Sequence, residues 1–250
     1  MPFIVAGHPF PGSLATLCRS LEAAGADAIE VGIPFSDPIA DGPVIAAAMH
    51  RSLTGGTTVQ GILEEVSAMR GEIGIPLLAM VTISIVDRLG GPEFLDRLSA
   101  SGFDGVIIPD ADVAEIAPLA ERADRLDLAF TSLVAPDTSH ERVERIAAHA
   151  REFMYILARG GITGARRDAP ELEGRIAELA EITSLPLVAG FGISTPAHVA
   201  AVLEHAQGAI VGSALVSALD GVDSPGELAE AVEDFVRPMA PGSGPTRAQA

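Results

Sequence analysis

Short, uninterrupted apolar runs alternate with longer segments of helical period along the whole of this chain, and that alternation limits the folds open to it. The strand candidates are residues 3–6, 28–32, 77–81, 105–108, 129–133, 153–157, 187–190 and 209–211. Helical patterns fill most of the gaps, among them 13–24, 59–70, 92–100, 113–126, 140–150, 170–182, 196–205 and 227–236. A strand that is apolar throughout belongs to a parallel sheet covered on both faces, because a half-solvated sheet alternates apolar and polar residues. Eight such strands with crossover helices predict an α/β fold, a single (β/α)8 TIM barrel. A doubly wound open sheet is the runner-up.

A weak internal repeat agrees with the barrel. Ala24-Gly25-Ala26-Asp27-Ala28-Ile29 and Ser101-Gly102-Phe103-Asp104-Gly105-Val106 share a small-Gly-x-Asp-small-apolar pattern, each after a helical stretch. The glycine suits a left-handed helix end and the aspartate a short turn into the next strand. Such turns lie at the end of a barrel that serves stability rather than chemistry.

At 250 residues the chain is long enough to be one domain, a barrel over 1–239 with a Pro/Gly/Ser/Ala-rich tail over 240–250 expected to be disordered. A chain of this length buries roughly 70–75% of its unfolded surface, so it needs neither metal nor disulfide for stability. Cys18, the only cysteine, shares a helix face with Leu14, Leu17 and Leu21 and is expected to pack in the core. The net charge of −18 excludes nucleic acid, which requires a basic patch to displace counterions. A small phosphorylated ligand stays possible, since backbone N–H groups can hold it. Without a signal-peptide pattern or an apolar run long enough to span a membrane, the expected location is cytoplasmic.

The chemistry is expected at the strand ends. Glu30 closes the second apolar run and is followed by Val31-Gly32-Ile33-Pro34-Phe35-Ser36-Asp37-Pro38-Ile39-Ala40-Asp41-Gly42-Pro43. A carboxylate there is costly unless it works or is paired. Desolvation by Ile29, Ile33 and Phe35 is expected to raise its pKa toward neutrality, which suits proton exchange. Asp41 sits on a stiff loop between small residues and proline, and Asp37, before Pro38, reads as a turn former. Gly160-Gly161-Ile162-Thr163-Gly164, Gly190-Phe191-Gly192-Ile193-Ser194 and Gly212-Ser213 follow the sixth, seventh and eighth strands. Small residues at successive strand ends let backbone amides and helix N-termini approach a phosphate. Tyr155, the only tyrosine, either faces the barrel mouth or packs in the core. The six histidines, His8, His50, His140, His149, His198 and His205, lack ligand-like spacing; they read as surface or capping residues, and no metal is expected.

Phe35-Ser36-Asp37-Pro38-Ile39-Ala40-Asp41-Gly42-Pro43 closely resembles the signature of the tryptophan synthase alpha chain family. Arg159-Gly160-Gly161-Ile162-Thr163-Gly164 and Gly190-Phe191-Gly192-Ile193-Ser194 resemble its later motifs, in the same order, and the similarity runs from Phe3 to about Met239. The first motif is specific to the family, while other phosphate-binding barrels share the glycine motifs. The resemblance implies a lyase that cleaves indole-3-glycerol phosphate to indole and glyceraldehyde 3-phosphate in tryptophan biosynthesis. It implies Glu30 as catalytic glutamate, Asp41 as the aspartate near the indole nitrogen and Tyr155 as active-site tyrosine. Gly164, Gly192, Gly212 and Ser213 match phosphate binders, Thr163 a mobile-loop residue, and Phe3 and Ile193 positions around the ligand. No cofactor is implied for this chain; pyridoxal phosphate belongs to a partner beta chain, in an alpha2beta2 assembly.

There are departures. The family usually carries a helix before the first strand, and this sequence starts at the strand. His8 stands where Asp is usual, Thr82 and Ser84 where an aromatic and Asn are usual, and Ala111-Asp112 replaces an apolar pair. A stand-alone lyase and a non-catalytic, ligand-binding regulatory subunit are the alternative readings.

Overall fold

The computed structural model describes residues 1–38, 41–158, 173–190 and 192–240. Through them the order is β1 (Phe3–Val5), α1 (Leu14–Ala23), β2 (Ile29–Gly32), α2 (Pro43–Thr54), α3 (Val59–Met69), β3 (Leu77–Met80), α4 (Ile83–Arg88), α5 (Pro92–Ser101) and β4 (Gly105–Ile107). There follow α6 (Val113–Arg125), β5 (Ala129–Thr131), β6 (Leu133–Val134), α7 (His140–His149), β7 (Met154–Leu157), α8 (Glu173–Ile182), β8 (Leu187–Gly190), α9 (Pro196–Leu203), β9 (Gly208–Ala209), α10 (Ser213–Ala218) and α11 (Pro225–Val236). The tail beyond Ala240 lies outside the described residues, as does the Arg159–Gly164 motif.

The named strands pair in parallel, β1 to β5 in one sequential run and β6 to β9 in another. The ring closes where Pro2 bridges Val211: Phe3 N donates to Val211 O at 2.9 Å and Val211 N to Met1 O at 3.1 Å. That closure selects the barrel over the open sheet.

One predicted strand differs. The run 129–133 is broken at Ser132 into β5 and β6. Ser132 is buried and its hydroxyl donates to Ile108 O at 3.0 Å, while Thr131 Oγ1 donates to Ser132 O at 3.1 Å. Side-chain hydroxyls there supply bonding that a regular ladder would take from the backbone, so buried polar atoms stay satisfied through the break.

The strands alternate between two cores. Phe3, Val5, Leu78, Ile107, Ala129, Tyr155 and Ile210 form the inner cluster, joined by Ile45 and Met49 of α2 and Val216 of α10. Ile4, Val31, Ala79, Val106, Phe130, Ile156 and Ala189 face outward and pack in the larger cluster beneath the helices. Both faces are apolar, which explains why the sequence reads as continuous runs. Cys18 is buried in the outer cluster, as its helix face predicts, and burial pushes its thiol up to about 12.

Helix starts follow the local chemistry. The hydroxyls of Thr58, Ser139, Thr195 and Ser224 accept from Gly61, Arg142, His198 and Glu227 amides at 3.1–3.4 Å. Pro43, Pro92, Pro196 and Pro225 open α2, α5, α9 and α11 with φ already set.

The Gly-x-Asp repeat takes its predicted role. Gly25 and Gly102 both have φ of +97° just beyond α1 and α5. Asp104 accepts from Leu77 N at 2.7 Å and from Arg70 Nη2 at 3.0 Å, tying the turn to the start of β3. A Cβ at Gly102 would lie 2.6 Å from Arg70 Cγ. We expect Gly102→Ala to lower stability by about 1–3 kcal/mol, through left-handed strain and the displaced arginine. Gly71→Ala, where a Cβ meets nothing within 4 Å, is the matched control with little change. Urea unfolding of the two variants checks the difference.

Candidate active site

Glu30 lies on β2 two residues short of its end, one step deeper than a strand-end position. The register sets it between Phe3 of β1 and Leu78 of β3, both members of the inner cluster. Its side chain is 0% exposed, and neither carboxyl oxygen has a hydrogen-bond partner among the described residues. Buried polar atoms are normally satisfied, so two bare oxygens on one carboxyl point to a missing partner such as a ligand.

Burial pushes the Glu30 carboxyl up to about 8; the Met1 amine opposes that rise and the charge of Asp41 adds to it. The shielding differs from the expected one. Ile29 and Ile33 belong to the outer cluster, because successive strand residues point to opposite faces. The inner-face residues Phe3 and Leu78 flank the carboxyl instead.

Asp41 follows on the loop after β2, its amide donating to Pro38 O at 3.1 Å. Burial pushes its carboxyl up to about 6. Asp37 is exposed, in keeping with a turn residue. Tyr155 is on β7, 3% exposed and paired in register with Leu133 and Val188. Burial raises its hydroxyl well above the usual phenol range, and the charges of Glu30 and Asp41 add to the effect. The three titratable groups therefore share one electrostatic environment inside the barrel, although they come from separate parts of the sequence.

Glycines make room for the aromatic rings. A Cβ on Gly190 would sit 2.6 Å from the Tyr155 hydroxyl oxygen, and one on Gly32 would sit 2.7 Å from Phe3 Cζ. Gly212 faces the same phenyl ring, with a Cβ position 3.3 Å from Phe3 Cδ1. Gly192 has φ of +81°, a conformation that favours glycine. Ser213 opens α10, which has only six residues, so its first backbone amides matter more than an extended helix dipole. Ile193 is buried in the outer cluster, which leaves its backbone rather than its side chain near the strand end. Thr163, Gly164 and Phe191 lie outside the described residues.

Two histidines depart from the surface or capping reading. His8 is 3% and His198 5% exposed. His8 Nε2 lies 3.2 Å from Val216 O, and His198 Nδ1 lies 3.4 Å from Ser194 Oγ. Both rings are buried by tertiary packing, which spacing along the sequence does not encode. His50, His140 and His205 are exposed. Among the described residues no group of three His, Cys, Asp or Glu could hold a metal ion, and no helix is long and apolar enough to cross a membrane.

Leu78, Ile107 and Leu133, which wall the inner face near these groups, were not singled out from the sequence. Uniformly apolar strands hide which residues point inward; only a two-residue alternation anchored on Glu30 or Tyr155 could have found them. A cavity of about 840 Å³ opens at the opposite end of the barrel, lined by Met1, Ala129, Phe153, Val188 and Met239 among others, and holds none of the candidate residues.

The chain matches the family model described as tryptophan synthase alpha chain over residues 1–242. It is 41% identical over 241 residues to the tryptophan synthase alpha chain of Geobacillus kaustophilus, covering 94% of this chain and 90% of that one. The alpha chain of Chloroflexus aggregans is likewise 41% identical, with 96% and 90% covered. Among solved structures, the tryptophan synthase A-subunit of Pyrococcus furiosus superposes with a TM-score of 0.86 at 30% identity, covering 95% of this chain and 96% of that chain. A chain from Mycobacterium tuberculosis tryptophan synthase gives a TM-score of 0.85 at 32% identity, covering 98% and 92%.

Two outcomes follow from the geometry. Because the Glu30 carboxyl ionises in the folded chain only near 8 but at its ordinary lower value when unfolded, folding favours its protonated form. Its contribution is present in full at acid pH and is lost as pH rises toward and through 8. Glu30→Gln should therefore lose less stability than the parent between pH 5 and 9; parallel melting-temperature curves for the two proteins would contradict this. Gly190→Ala should displace the Tyr155 ring and lower turnover by roughly tenfold or more, because misplacing a site group by about 1 Å is costly. Steady-state kinetics of that variant test the point.

Proposed function

The chain belongs to the tryptophan synthase alpha chain family, and from that premise we propose how its barrel interior carries out the family's lyase reaction. It is the alpha subunit of a tryptophan synthase, acting in tryptophan biosynthesis with a beta chain as partner. The substrate is indole-3-glycerol phosphate, and the products are indole and glyceraldehyde 3-phosphate. The observation that best supports the assignment of roles is the fully buried Glu30 carboxyl with both oxygens unpartnered among the described residues.

The bond from the indole ring to the glycerol chain breaks once the ring carbon is protonated. With its pKa raised to about 8, Glu30 is protonated at neutral pH and can give that proton. Its carboxylate then takes the proton from the adjacent glycerol hydroxyl. The carbon–carbon bond cleaves, its electrons return to the ring and the aldehyde forms. The side chain ends as it began, protonated.

Asp41, with the lower pKa of about 6, is ionised at the same pH. It accepts the indole N–H and stabilises the positive charge that develops on that nitrogen. Two carboxyls whose surroundings separate their pKa values divide the acid and the anionic roles. Tyr155, which feels the charge of both, is the third side chain of the site. The backbone amides of Gly192, Gly212 and Ser213, with Gly164, hold the phosphate; Thr163 matches a loop residue of the family, and Phe3 and the backbone of Ile193 lie around the ligand. Binding energy from that remote group orients the reacting carbon against Glu30. We assign no cofactor to this chain and place pyridoxal phosphate on the beta chain, in an alpha2beta2 complex of the cytoplasm.

Indole release from indole-3-glycerol phosphate, measured with and without a beta chain, tests the reading. Glu30→Gln should lower turnover by roughly a hundredfold or more with the fold retained. Parent kcat/KM should rise with pH as Asp41 ionises near 6 and fall as Glu30 ionises near 8. Near-normal turnover of the glutamine variant, or an unchanged rate well above pH 8, would remove Glu30 from the mechanism.

A further inference from the structure

We propose that His8, Arg51 and Asp220 form a positioning bracket behind the active site, fixing the Gly212-Ser213 turn against the helix that follows Asp41. The inference rests on the phosphate role given above to that turn, and it adds three residues that touch no ligand.

α2 begins two residues after Asp41 and presents Arg51 in its last turn. α10 begins at Ser213, and Asp220 stands just past its end. Arg51 Nη2 and Asp220 Oδ1 form an ion pair that joins the two helices across most of the sequence. His8, on the loop after β1, completes the set: its Nε2 lies 3.2 Å from Val216 O in α10 and 3.8 Å from Asp220 Oδ1. A carbonyl oxygen only accepts, so Nε2 carries the hydrogen. Nδ1 is then a bare acceptor, buried and without a partner among the described residues.

A bare buried acceptor destabilises the fold, a cost that an apolar residue of similar size avoids. What the imidazole provides in return is its bond to α10. Burial pushes the imidazole below its usual value; the Val216 carbonyl opposes that, the Arg51 charge adds to it, and Asp220 opposes it again. The ring is thus held neutral, with its single hydrogen directed at the helix.

The loop bearing His8 is itself fixed to α2 and to the start of α1: Ser52 Oγ of α2 donates to Ala6 O at 2.6 Å, and Ser13 Oγ, just before α1, donates to His8 O at 3.2 Å. Gly7, with φ of +79°, approaches so closely that a Cβ there would lie 2.2 Å from Thr57 Oγ1 and 2.5 Å from Ser52 Oγ. His8 therefore reaches α10 from a base that α2 holds rigid. Val216 O is about 5 Å along the helix from Ser213, so a shift at His8 passes directly to the turn. The Arg51 and Asp220 side chains are 47% and 48% exposed, and a pair so exposed is worth little by itself. The buried histidine is the dominant member.

The test uses the full chain and reads inorganic phosphate binding by calorimetry alongside kinetics with the beta chain. His8→Leu should weaken phosphate binding by roughly three- to tenfold and lower kcat/KM at least in proportion. His8→Gln, which keeps an N–H donor near the Nε2 position, should restore most of both. A folded His8→Leu protein that binds phosphate like the parent overturns the bracket, as does a His8→Gln protein no better than His8→Leu. Should His8→Leu fail to fold, the partly exposed double variant Arg51→Gln/Asp220→Asn decides: a loss of roughly twofold or more in phosphate affinity supports the bracket, and none rejects it. A parent that binds neither phosphate nor indole-3-glycerol phosphate refutes the reading of the site itself, and the bracket falls with it.

Discussion

Everything in this protein depends on the parallel ring closing between the first and last strands. Val211 accepts from Phe3 and donates to Met1 across that seam, and the ring places the start of the chain beside the segment after β9. Phe3 thereby comes against Gly212, and His8 comes within reach of Val216 and Asp220. A parallel strand needs a crossover before the next, so all the strand C-terminal ends gather at one rim. Loops far apart in the sequence thus become neighbours without any contact between them having to drive folding.

The same closure sets the electrostatics. Along an inner face formed by Phe3, Leu78, Ile107 and Tyr155, no donor among the described residues reaches the Glu30 carboxyl, and a carboxyl in such a place keeps its proton at neutral pH. Asp41, on a loop rather than a strand, is less deeply enclosed, and its pKa rises less. Depth in one barrel therefore leaves one of two chemically similar groups protonated and the other ionised at neutral pH. The Glu30 oxygens, without a partner among the described residues, are a cost to the folded state.

Much of this was legible in the sequence. The eight apolar runs mark the barrel strands because burial on both faces leaves no room for polar alternation. Gly102 and Gly25 mark helix ends because few other residues adopt their backbone angles. Glu30 stands out because a charge within an apolar run calls for an explanation. Less was legible where the determining contact is long-range. The break at Ser132 depends on Ile108 of the neighbouring strand accepting a hydroxyl bond. The burial of His8 depends on which way its loop turns, and that of His198 on which face α9 lays against the barrel. The ion pair of Arg51 and Asp220 joins residues with no pattern linking them.

The sequence by itself determined the repeated strand and helix units, the family signature and the candidate carboxylates, because these follow from local periodicity, backbone preference and residue chemistry. Only the tertiary structure decided which strand residues face inward, how far Glu30 is desolvated and which rings rest on Gly190 and Gly32. It also decided that His8 joins the first loop to α10. Those properties arise from register and closure, which are set by the ring as a whole and by no single segment of the chain.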